Sequence, residues 1–183
     1  RYERWLADGL DADVAYLRRD VARRFDPARL MSGARSVVCL AISYAPPADD
    51  GRQAPIAAVA RYARGRDYHR VLKQRARRVL DRLRAQRPGV EGRVFVDAGP
   101  IAERSLAVAA GLGWVGRNGC LIVPGVGSYV VLCEIVCSAE LAPGPADGAG
   151  GPPELPVPSA EPASAPVGCG DCRACVEACP NET

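Results

Sequence analysis

Cys169-Gly-Asp-Cys172-Arg-Ala-Cys175-Val-Glu-Ala-Cys179-Pro180 is a C-x2-C-x2-C-x3-C-P run that contains four of the 8 cysteines in the chain. This is the ligand spacing of bacterial 4Fe–4S sites, in which three thiolates hold one cluster and the fourth serves a second cluster. A zinc site needs four ligands around one ion and seldom uses so crowded a run. Disulfides are a further alternative, although most pairings within so compact a set would be strained. The run therefore predicts an iron–sulfur site.

A second cluster would need about three further thiolates. The other cysteines, which show no ligand spacing, are Cys39, Cys120, Cys133 and Cys137. In a strand, Cys133 and Cys137 would be roughly 13 Å apart, too far for neighbouring ligands of one cluster, and free cysteine is an ordinary core residue. The chain begins with arginine inside a helical pattern and ends soon after Cys179. We therefore expect a fragment truncated at both ends, with the second-cluster ligands beyond Thr183.

The basic residues are unevenly distributed along the chain. Its 183 residues are enough for one ordinary domain plus an appendage. Residues 1–93 contain 21 of the 24 lysines and arginines, and 11 of these fall between 61 and 87. Such a split favours a basic face that meets a polyanion, although a solvated arginine-rich surface is the simpler alternative. No apolar run approaches membrane-spanning length, and cysteines arranged for metal favour a reducing cytoplasm.

Alternating helical and strand-like patterns predict an α/β or α+β core. We expect an amphipathic helix over residues 1–21, buried strands over 34–43 and 128–137, and a short strand over 93–96. Asp67 is placed to cap a helix over Tyr68–Arg87, and a further helix is expected over Ile101–Ala110 with Gly111 as its C-terminal cap. The buried stripe of the longer helix should comprise Val71, Leu72, Val79, Leu80 and Leu83.

The composition divides the chain into three segments. Residues 142–168 have the proline, alanine and glycine content of a linker. The α/β or α+β core is expected before the linker, over residues 1–141. The residues after it, 169–183, are expected to form the first, incomplete half of an iron–sulfur module.

Two motifs are ambiguous. Gly111-Leu-Gly113-Trp-Val-Gly116 matches the dinucleotide fingerprint as a string, but that fingerprint must follow a strand and open a helix. Here it follows a helix, so we interpret residues 112–127 as a glycine-rich loop that allows a flat ligand to approach the backbone. Asp67-Tyr-His69 is similar to the start of a D-x-H-x-x-G segment that supplies histidine to cobalt in some enzymes, but Leu72 stands where the glycine should be. A capping or packing role for His69 is the more ordinary interpretation.

Asp97 is the sharpest candidate for a catalytic residue. It follows the strand at 93–96, and α/β proteins place their ligands at the carboxyl ends of strands. Pro100 suits the first position of the next helix, which makes Gly99 the expected cap and leaves Asp97 without a structural role. A proton donor at neutral pH would need its pKa raised by about three units, which a dry pocket beside an apolar cofactor provides. The alternative is a helix cap. Glu103 is interpreted as a carboxylate that offsets the helix dipole, and Arg104 as an exposed arginine.

Several of these stretches occur in the same order in one protein family. They are Arg24 in Arg-Phe-Asp-Pro, Gly65-Arg-Asp-Tyr-His69, Val94-Phe-Val-Asp97-Ala-Gly-Pro-Ile-Ala-Glu-Arg104, Ala110-Gly-Leu-Gly-Trp-Val-Gly-Arg-Asn118, Gly127-Ser-Tyr129 and the cysteine run. Over residues 10–141 and 168–180 the chain resembles epoxyqueuosine reductases. The resemblance implies an α+β, cobalamin-binding domain related to that of reductive dehalogenases, followed by the start of a ferredoxin-like 4Fe–4S module.

The resemblance also implies an activity and its residues. Members of the family reduce the epoxide of epoxyqueuosine in tRNA, using cobalamin, two 4Fe–4S clusters and an external electron donor. Asp97 would then donate a proton to the departing oxygen. Cys169, Cys172 and Cys175 would hold the first cluster, and Cys179 would reach the second. Arg24, Ala60, Leu121 and Leu132 fall where the family touches the corrin or its side chains. The basic stretch at 61–87 would contact phosphates of the tRNA anticodon stem-loop.

The chain departs from this family in three respects. The linker at 142–168 is longer than usual, Cys133 and Cys137 are not part of the pattern, and the second-cluster ligands are missing. Three other functions stay open: a cobalamin and iron–sulfur reductase of small molecules, similar to reductive dehalogenases; a ferredoxin-type electron carrier; and a cobalamin-binding module without catalysis.

Overall fold

The computed structural model describes residues 2–45, 59–142 and 168–180. The interpretation of 142–168 as a linker falls almost entirely outside these residues. The elements are α1 (Tyr2–Ala7), α2 (Val21–Phe25), β1 (Ser36–Ser43), α3 (Tyr68–Gln86), β2 (Gly92–Phe95), α4 (Glu103–Ala109), β3 (Trp114–Val115), β4 (Leu121–Ile122), β5 (Val130–Cys137) and α5 (Ala174–Glu177), with single 3-10 turns at Ala15–Arg18, Pro27–Arg29 and Arg61–Ala63.

The main sheet has three antiparallel strands in the order β1-β5-β2. Its central strand β5 pairs Cys137 with Ser36 of β1 on one side and with Gly92 of β2 on the other. The short strands β3 and β4 form a separate two-stranded ladder. Helices and an antiparallel sheet in one chain make the fold mixed α and β, as the sequence pattern predicts.

Helix α3 covers one face of this sheet. Its buried residues Leu72, Ala76 and Leu80 recur every four positions, so they lie on one side of the helix and pack against Cys133 and Ile135 of β5. Burial of each leucine side chain contributes about 1.5–3 kcal/mol relative to exposure. A Cβ on Gly92 would lie 2.6 Å from Leu80 Cδ1, so a larger residue there would force the Leu80 side chain to shift.

The other face is covered by α4 and by the segment around Leu30 and Met31. These two residues pack with Ile101 and Val136, and Phe95 and Leu106 extend the same cluster. Because side chains alternate along a strand, β5 contributes Val136 to this face and Cys133, Ile135 and Cys137 to the other. The expectation that Cys133 and Cys137 are core residues is confirmed, since both are buried.

The expected helix over residues 1–21 is wrong. It ends at Ala7, and Gly9 (φ 69°), Ala12 (φ 47°) and Asp20 (φ 50°) all adopt the left-handed conformation, which an α-helix does not accommodate. Leu10 is 61% exposed. The polar residue Asp11 is buried instead, and its carboxylate lies 2.5 Å from Arg18 Nη2.

Helix α3 is close to its prediction, whereas α4 begins later than expected. Asp67 caps α3 by accepting the His69 N–H at 3.0 Å, but Val79 of the expected stripe is exposed. Helix α4 begins at Glu103, so Gly99 is not its cap and Pro100 is not its first residue. Ala102, directly before α4, has φ −86° and ψ 69°, outside the helical region, and it donates its N–H to the Arg24 carbonyl at 2.9 Å. Gly111 follows the helix at φ 77°, as predicted.

Two smaller expectations need correction. Strand β1 is half-buried rather than buried on both faces, because it lies at an edge of the sheet. The region 112–127, expected to be only a loop, contains β3 and β4. Among the described residues, no helix has both the length and the apolar character needed to cross a membrane.

Candidate active site and cysteine segment

Asp97 lies in a strained turn directly after β2. It has φ 55°, which is uncommon for a residue other than glycine and costs about 1–3 kcal/mol. Around it, Ala98 donates its N–H to the Val96 carbonyl at 2.5 Å, and Asp97 donates its own N–H to Glu103 Oε1 at 2.8 Å. We refer to residues 96–102 as the Asp97 loop. Strain of this kind persists only where surrounding contacts hold it, and it is concentrated at functional sites.

The Asp97 carboxylate faces the N-terminus of α3. Tyr68 donates its hydroxyl to Asp97 Oδ2, and His69 Nε2 lies 3.5 Å from the same oxygen. The other ring nitrogen of His69 lies 2.9 Å from Asp67 Oδ1, so the imidazole bridges two carboxylates. Burial and the hydrogen bond to Asp97 raise the pKa of Tyr68, while the His69 side chain holds the pKa of Asp67 below its usual range.

Sequence reasoning did not assign Tyr68 or His69 to the site. The available signal was that Asp67 fixes the start of α3, which places the next two side chains opposite the end of β2. The dry pocket expected around Asp97 is not formed by the described residues alone, because its side chain is 58% exposed. Glu103 is in the first turn of α4 as expected, but it also holds the Asp97 backbone.

A group of tyrosines extends the site from Asp97. The rings of Tyr44, Tyr62, Tyr68 and Tyr129 form edge contacts with centroids 5.5 to 6.3 Å apart, and Tyr68 stacks on His69 at 4.0 Å. Tyr62 and Tyr129 are partly exposed, and the guanidinium of Arg61 lies over the Tyr129 ring. We call these four rings the tyrosine group. The exposed parts of Tyr62 and Tyr129 offer aromatic surface to a flat ligand.

The four residues expected to touch a corrin have different surroundings. Arg24 donates to the Tyr16 carbonyl at 2.8 Å, and its own carbonyl accepts from Ala102 of the Asp97 loop. Ala60 is exposed and precedes the turn that carries Tyr62. Leu121 is buried in β4, and Leu132 is half-buried in β5. Two of the four therefore adjoin the Asp97 loop or the tyrosine group, and the exposed rings beside them match a broad apolar macrocycle in character.

A basic groove runs between α3 and β2. It has a volume of about 490 Å³ and is lined by Lys73, Arg77, Leu80, Asp81, Arg84, Gly92, Arg93 and Val94. Arg84 is held by Asp81 at 3.4 Å and by the Val90 carbonyl, and Arg93 by the Leu30 carbonyl. Lys73 and Arg77 have no ion pair among the described residues, so their charges are available to an anion.

The cysteine segment, residues 168–180, docks on the loop after α4 through one arginine. Arg117 Nη1 donates to the Gly170 carbonyl at 2.9 Å and to the Cys172 carbonyl at 2.5 Å. A hydrogen bond from the Arg117 main chain lowers the pKa of the Cys169 thiol, which favours the thiolate that metals require. The arginine thus fixes the first half of the cysteine run to the body of the chain.

The four thiols fit an iron–sulfur cluster by their chemistry. Three of them, Cys169, Cys172 and Cys175, form no disulfide bond with any described residue. Within the described ranges, however, no group of three or more His, Cys, Asp or Glu side chains is drawn together as a metal site. Binding of a cluster therefore requires the thiols of this short segment to converge.

Comparisons with known proteins confirm the resemblance. The family model described as epoxyqueuosine reductase QueG, DUF1730, matches residues 24–98. The epoxyqueuosine reductase of Leadbetterella byssophila is 35% identical over 182 residues, covering 100% of this chain and 54% of that protein. A solved epoxyqueuosine reductase with an epoxyqueuosine-modified tRNA stem loop is 25% identical, with a TM-score of 0.71 over 99% of this chain and 44% of that one.

A second solved structure is also similar to this chain. The Bacillus subtilis epoxyqueuosine reductase, described with the loop of its catalytic aspartate swung out of the active site, is also 25% identical and has a TM-score of 0.72, covering 99% of this chain and 44% of that one. The chain spans about half the length of the curated relatives that it matches.

Proposed function

We propose that the protein shares the activity of the epoxyqueuosine reductases that it resembles along its whole length, and reduces the epoxide of epoxyqueuosine in tRNA to the cyclopentene of queuosine. The reaction consumes two electrons and two protons, breaks both C–O bonds of the epoxide and releases water. The observation that carries the proposal is the geometry of Asp97, a carboxylate held in a strained turn beside partly exposed aromatic rings.

Asp97 is assigned as the proton donor to the departing oxygen. Its carboxyl group is accessible from solvent and is oriented by Tyr68 and His69 on one side, while Glu103 fixes its main chain on the other. A ligand that stacks on the tyrosine group would cover the carboxyl group and exclude water, and exclusion of water favours the protonated acid. General-acid assistance of this kind contributes about 10²–10⁴-fold to a rate.

Cobalamin and 4Fe–4S clusters are the cofactors that this assignment implies. Residues 1–141 would form a cobalamin-binding domain related to that of reductive dehalogenases, with Arg24, Ala60, Leu121 and Leu132 as corrin contacts. The cysteine segment would form the first half of a ferredoxin-like module, in which Cys169, Cys172 and Cys175 bind one cluster and Cys179 reaches a second. When bound, these groups supply the electrons that an external donor provides.

The tRNA substrate gives the basic groove a function. Lys73 and Arg77 line it and form no ion pair with any residue that the structure describes, and arginine and lysine side chains dominate binding to phosphate backbones. Helix α3 begins at the residues that hold Asp97 and continues along the groove. A stem-loop bound there would lie beside the proposed acid. A tRNA substrate and a run of cysteines spaced for metal binding also fit the reducing cytoplasm.

Conversion of an epoxyqueuosine-containing tRNA stem-loop tests this function. The full-length protein, reconstituted without oxygen with cobalamin, iron and sulfide, should convert the nucleoside to queuosine with a mass loss of one oxygen atom. Turnover of a small halogenated arene but not of the stem-loop would replace the proposal with a dehalogenase-like reductase. Cluster absorbance without any retained cobalamin would replace it with an electron carrier, a function that leaves the Asp97 geometry unused.

A further inference from the structure

Glu134 is a carboxyl group at the centre of the sheet. It lies on β5 between Cys39 of β1 and Phe95 of β2, and it is 0% exposed. Neither carboxyl oxygen meets a hydrogen-bond partner among the residues that the structure describes. An ionised carboxylate at such a position is strongly unfavourable unless it is paired with a cation or hydrogen-bonded. Glu134 therefore has to carry a proton or to share one with a neighbour.

That neighbour is Glu103. Helix α4 packs on the face of β5 that carries Glu134, and the two carboxyl groups are close enough for each to shift the pKa of the other. Burial raises the pKa of both, that of Glu134 to about 8. The other titratable or charged groups around the pair are Cys39 on β1, Tyr68 on α3, Asp97, Arg104 on α4 and Cys133 on β5.

The two carboxyl groups differ in exposure, which decides where the proton resides. Glu103 is half-buried at the end of a helix, beside Arg104, whereas Glu134 is enclosed. Two adjacent carboxyl groups in a site of low polarity do not both ionise readily. The single charge therefore resides on Glu103, whose Oε1 accepts the Asp97 N–H at 2.8 Å.

We propose that Glu103 and Glu134 share one proton and act as a latch for the Asp97 loop: Glu134 holds the proton, and ionised Glu103 holds the Asp97 main chain in its left-handed turn. Both are positioning residues that act through Asp97. The contacts exist whatever the protein catalyses, and only their importance for turnover rests on the proposed function. Ionisation of Glu134 would place a second charge beside Glu103 and weaken the latch, which would allow a swing of the kind described for the aspartate loop of the solved relative.

The Asp97 amide proton is a direct reporter of this latch. In the 183-residue chain labelled with ¹⁵N, the protection of this amide against solvent exchange, corrected for intrinsic rates, should fall as the pH rises through about 8. Glu103→Ala removes the acceptor, and loss of one hydrogen bond should speed exchange by about tenfold at pH 7. Glu134→Gln keeps a neutral side chain at every pH, so protection should persist and its pH dependence near 8 should disappear.

Glu91→Gln, at an exposed position before β2, is the matched control and should behave as the wild type. If the protection of the Asp97 amide depended on pH in the same way in the wild type and in Glu134→Gln, the proposal that the two carboxyl groups share a proton would be overturned. Unchanged Asp97 protection in a folded Glu103→Ala variant would overturn the latch. If that variant does not fold, Glu103→Asp replaces it, because the shorter side chain moves the carboxylate oxygen away from the Asp97 N–H. Reduced Asp97 protection in this variant would support the latch, and unchanged protection would overturn it. Because no turnover is measured, failure of the latch is distinguishable from failure of the proposed function.

Discussion

Replacement of Glu134 by glutamine should change how the stability of the fold depends on pH. The folded protein holds a proton on Glu134 up to a pKa of about 8, whereas the unfolded chain releases it near the ordinary value of 4.5. Between these values the folded state binds one proton more than the unfolded state. The free energy of unfolding therefore falls as the pH rises through this window, and the loss levels off above the folded pKa.

The magnitude follows from the width of the window. Each pH unit within it removes about 1.4 kcal/mol, so from pH 5.5 to 7.5 the wild type should lose about 3 kcal/mol relative to Glu134→Gln. Glu103, whose pKa burial also raises, contributes in the same direction in both proteins. Cys39 and Cys133 are neutral throughout this range, because burial raises their pKa values to about 12.

Urea unfolding at the two pH values, followed by circular dichroism, measures this difference. A glutamine at position 134 leaves a buried carboxamide unpaired, but that cost is the same at both pH values, so only the change between them is informative. Glu91→Gln should retain the wild-type slope. Parallel stability curves for the wild type and Glu134→Gln would show that Glu134 is ionised in the folded protein and would refute the reasoning from burial.

Three further perturbations address other parts of the structure. Leu80→Ala should destabilise the fold by about 2–5 kcal/mol in urea unfolding, because it empties the contact between α3 and β2; a loss below 1 kcal/mol would contradict that packing. Arg117→Ala removes two hydrogen bonds to the cysteine segment, so amide exchange in residues 168–180 should rise while β5 is unaffected. Joint replacement of Lys73 and Arg77 by glutamate should weaken stem-loop binding and reduce its dependence on salt by about two counterions, whereas Arg4→Glu in α1 should not.

The sequence predicted the elements whose signals are local. Helix α3 has both a cap at Asp67 and an apolar repeat, and β5 is an apolar run interrupted only by Glu134, so each is found close to its expected position. The prediction of a long N-terminal helix is wrong. Its apolar residues are spaced almost as in a helix, but Gly9 and Asp20 adopt left-handed conformations that interrupt it. The predicted start of α4 is wrong because Ala102 adopts a non-helical conformation and bonds to Arg24, a tertiary contact that the proline signal does not reveal.

The candidate site was predicted only in part, for a related reason. Asp97 was recognisable because a carboxylate after a strand, outside a helix cap, lacks a structural role. Its partners Tyr68 and His69 are 28 or more positions away in sequence, and they meet Asp97 only because α3 packs antiparallel to β2. Glu134 gave no signal, since one acidic residue in an apolar strand reveals nothing about its neighbours until the register with β1 and β2 is known.

The most direct measurement of the central claim is the turnover of an Asp97→Asn variant of the full-length protein on an epoxyqueuosine-containing stem-loop. The asparagine preserves the size of the side chain but cannot donate a carboxylic proton. We expect conversion to queuosine to fall by at least about 10²-fold, while the absorbance of bound cobalamin and iron–sulfur clusters stays at wild-type levels. Turnover within a few-fold of the wild type, with the cofactors bound, would contradict the assignment of Asp97 as the acid.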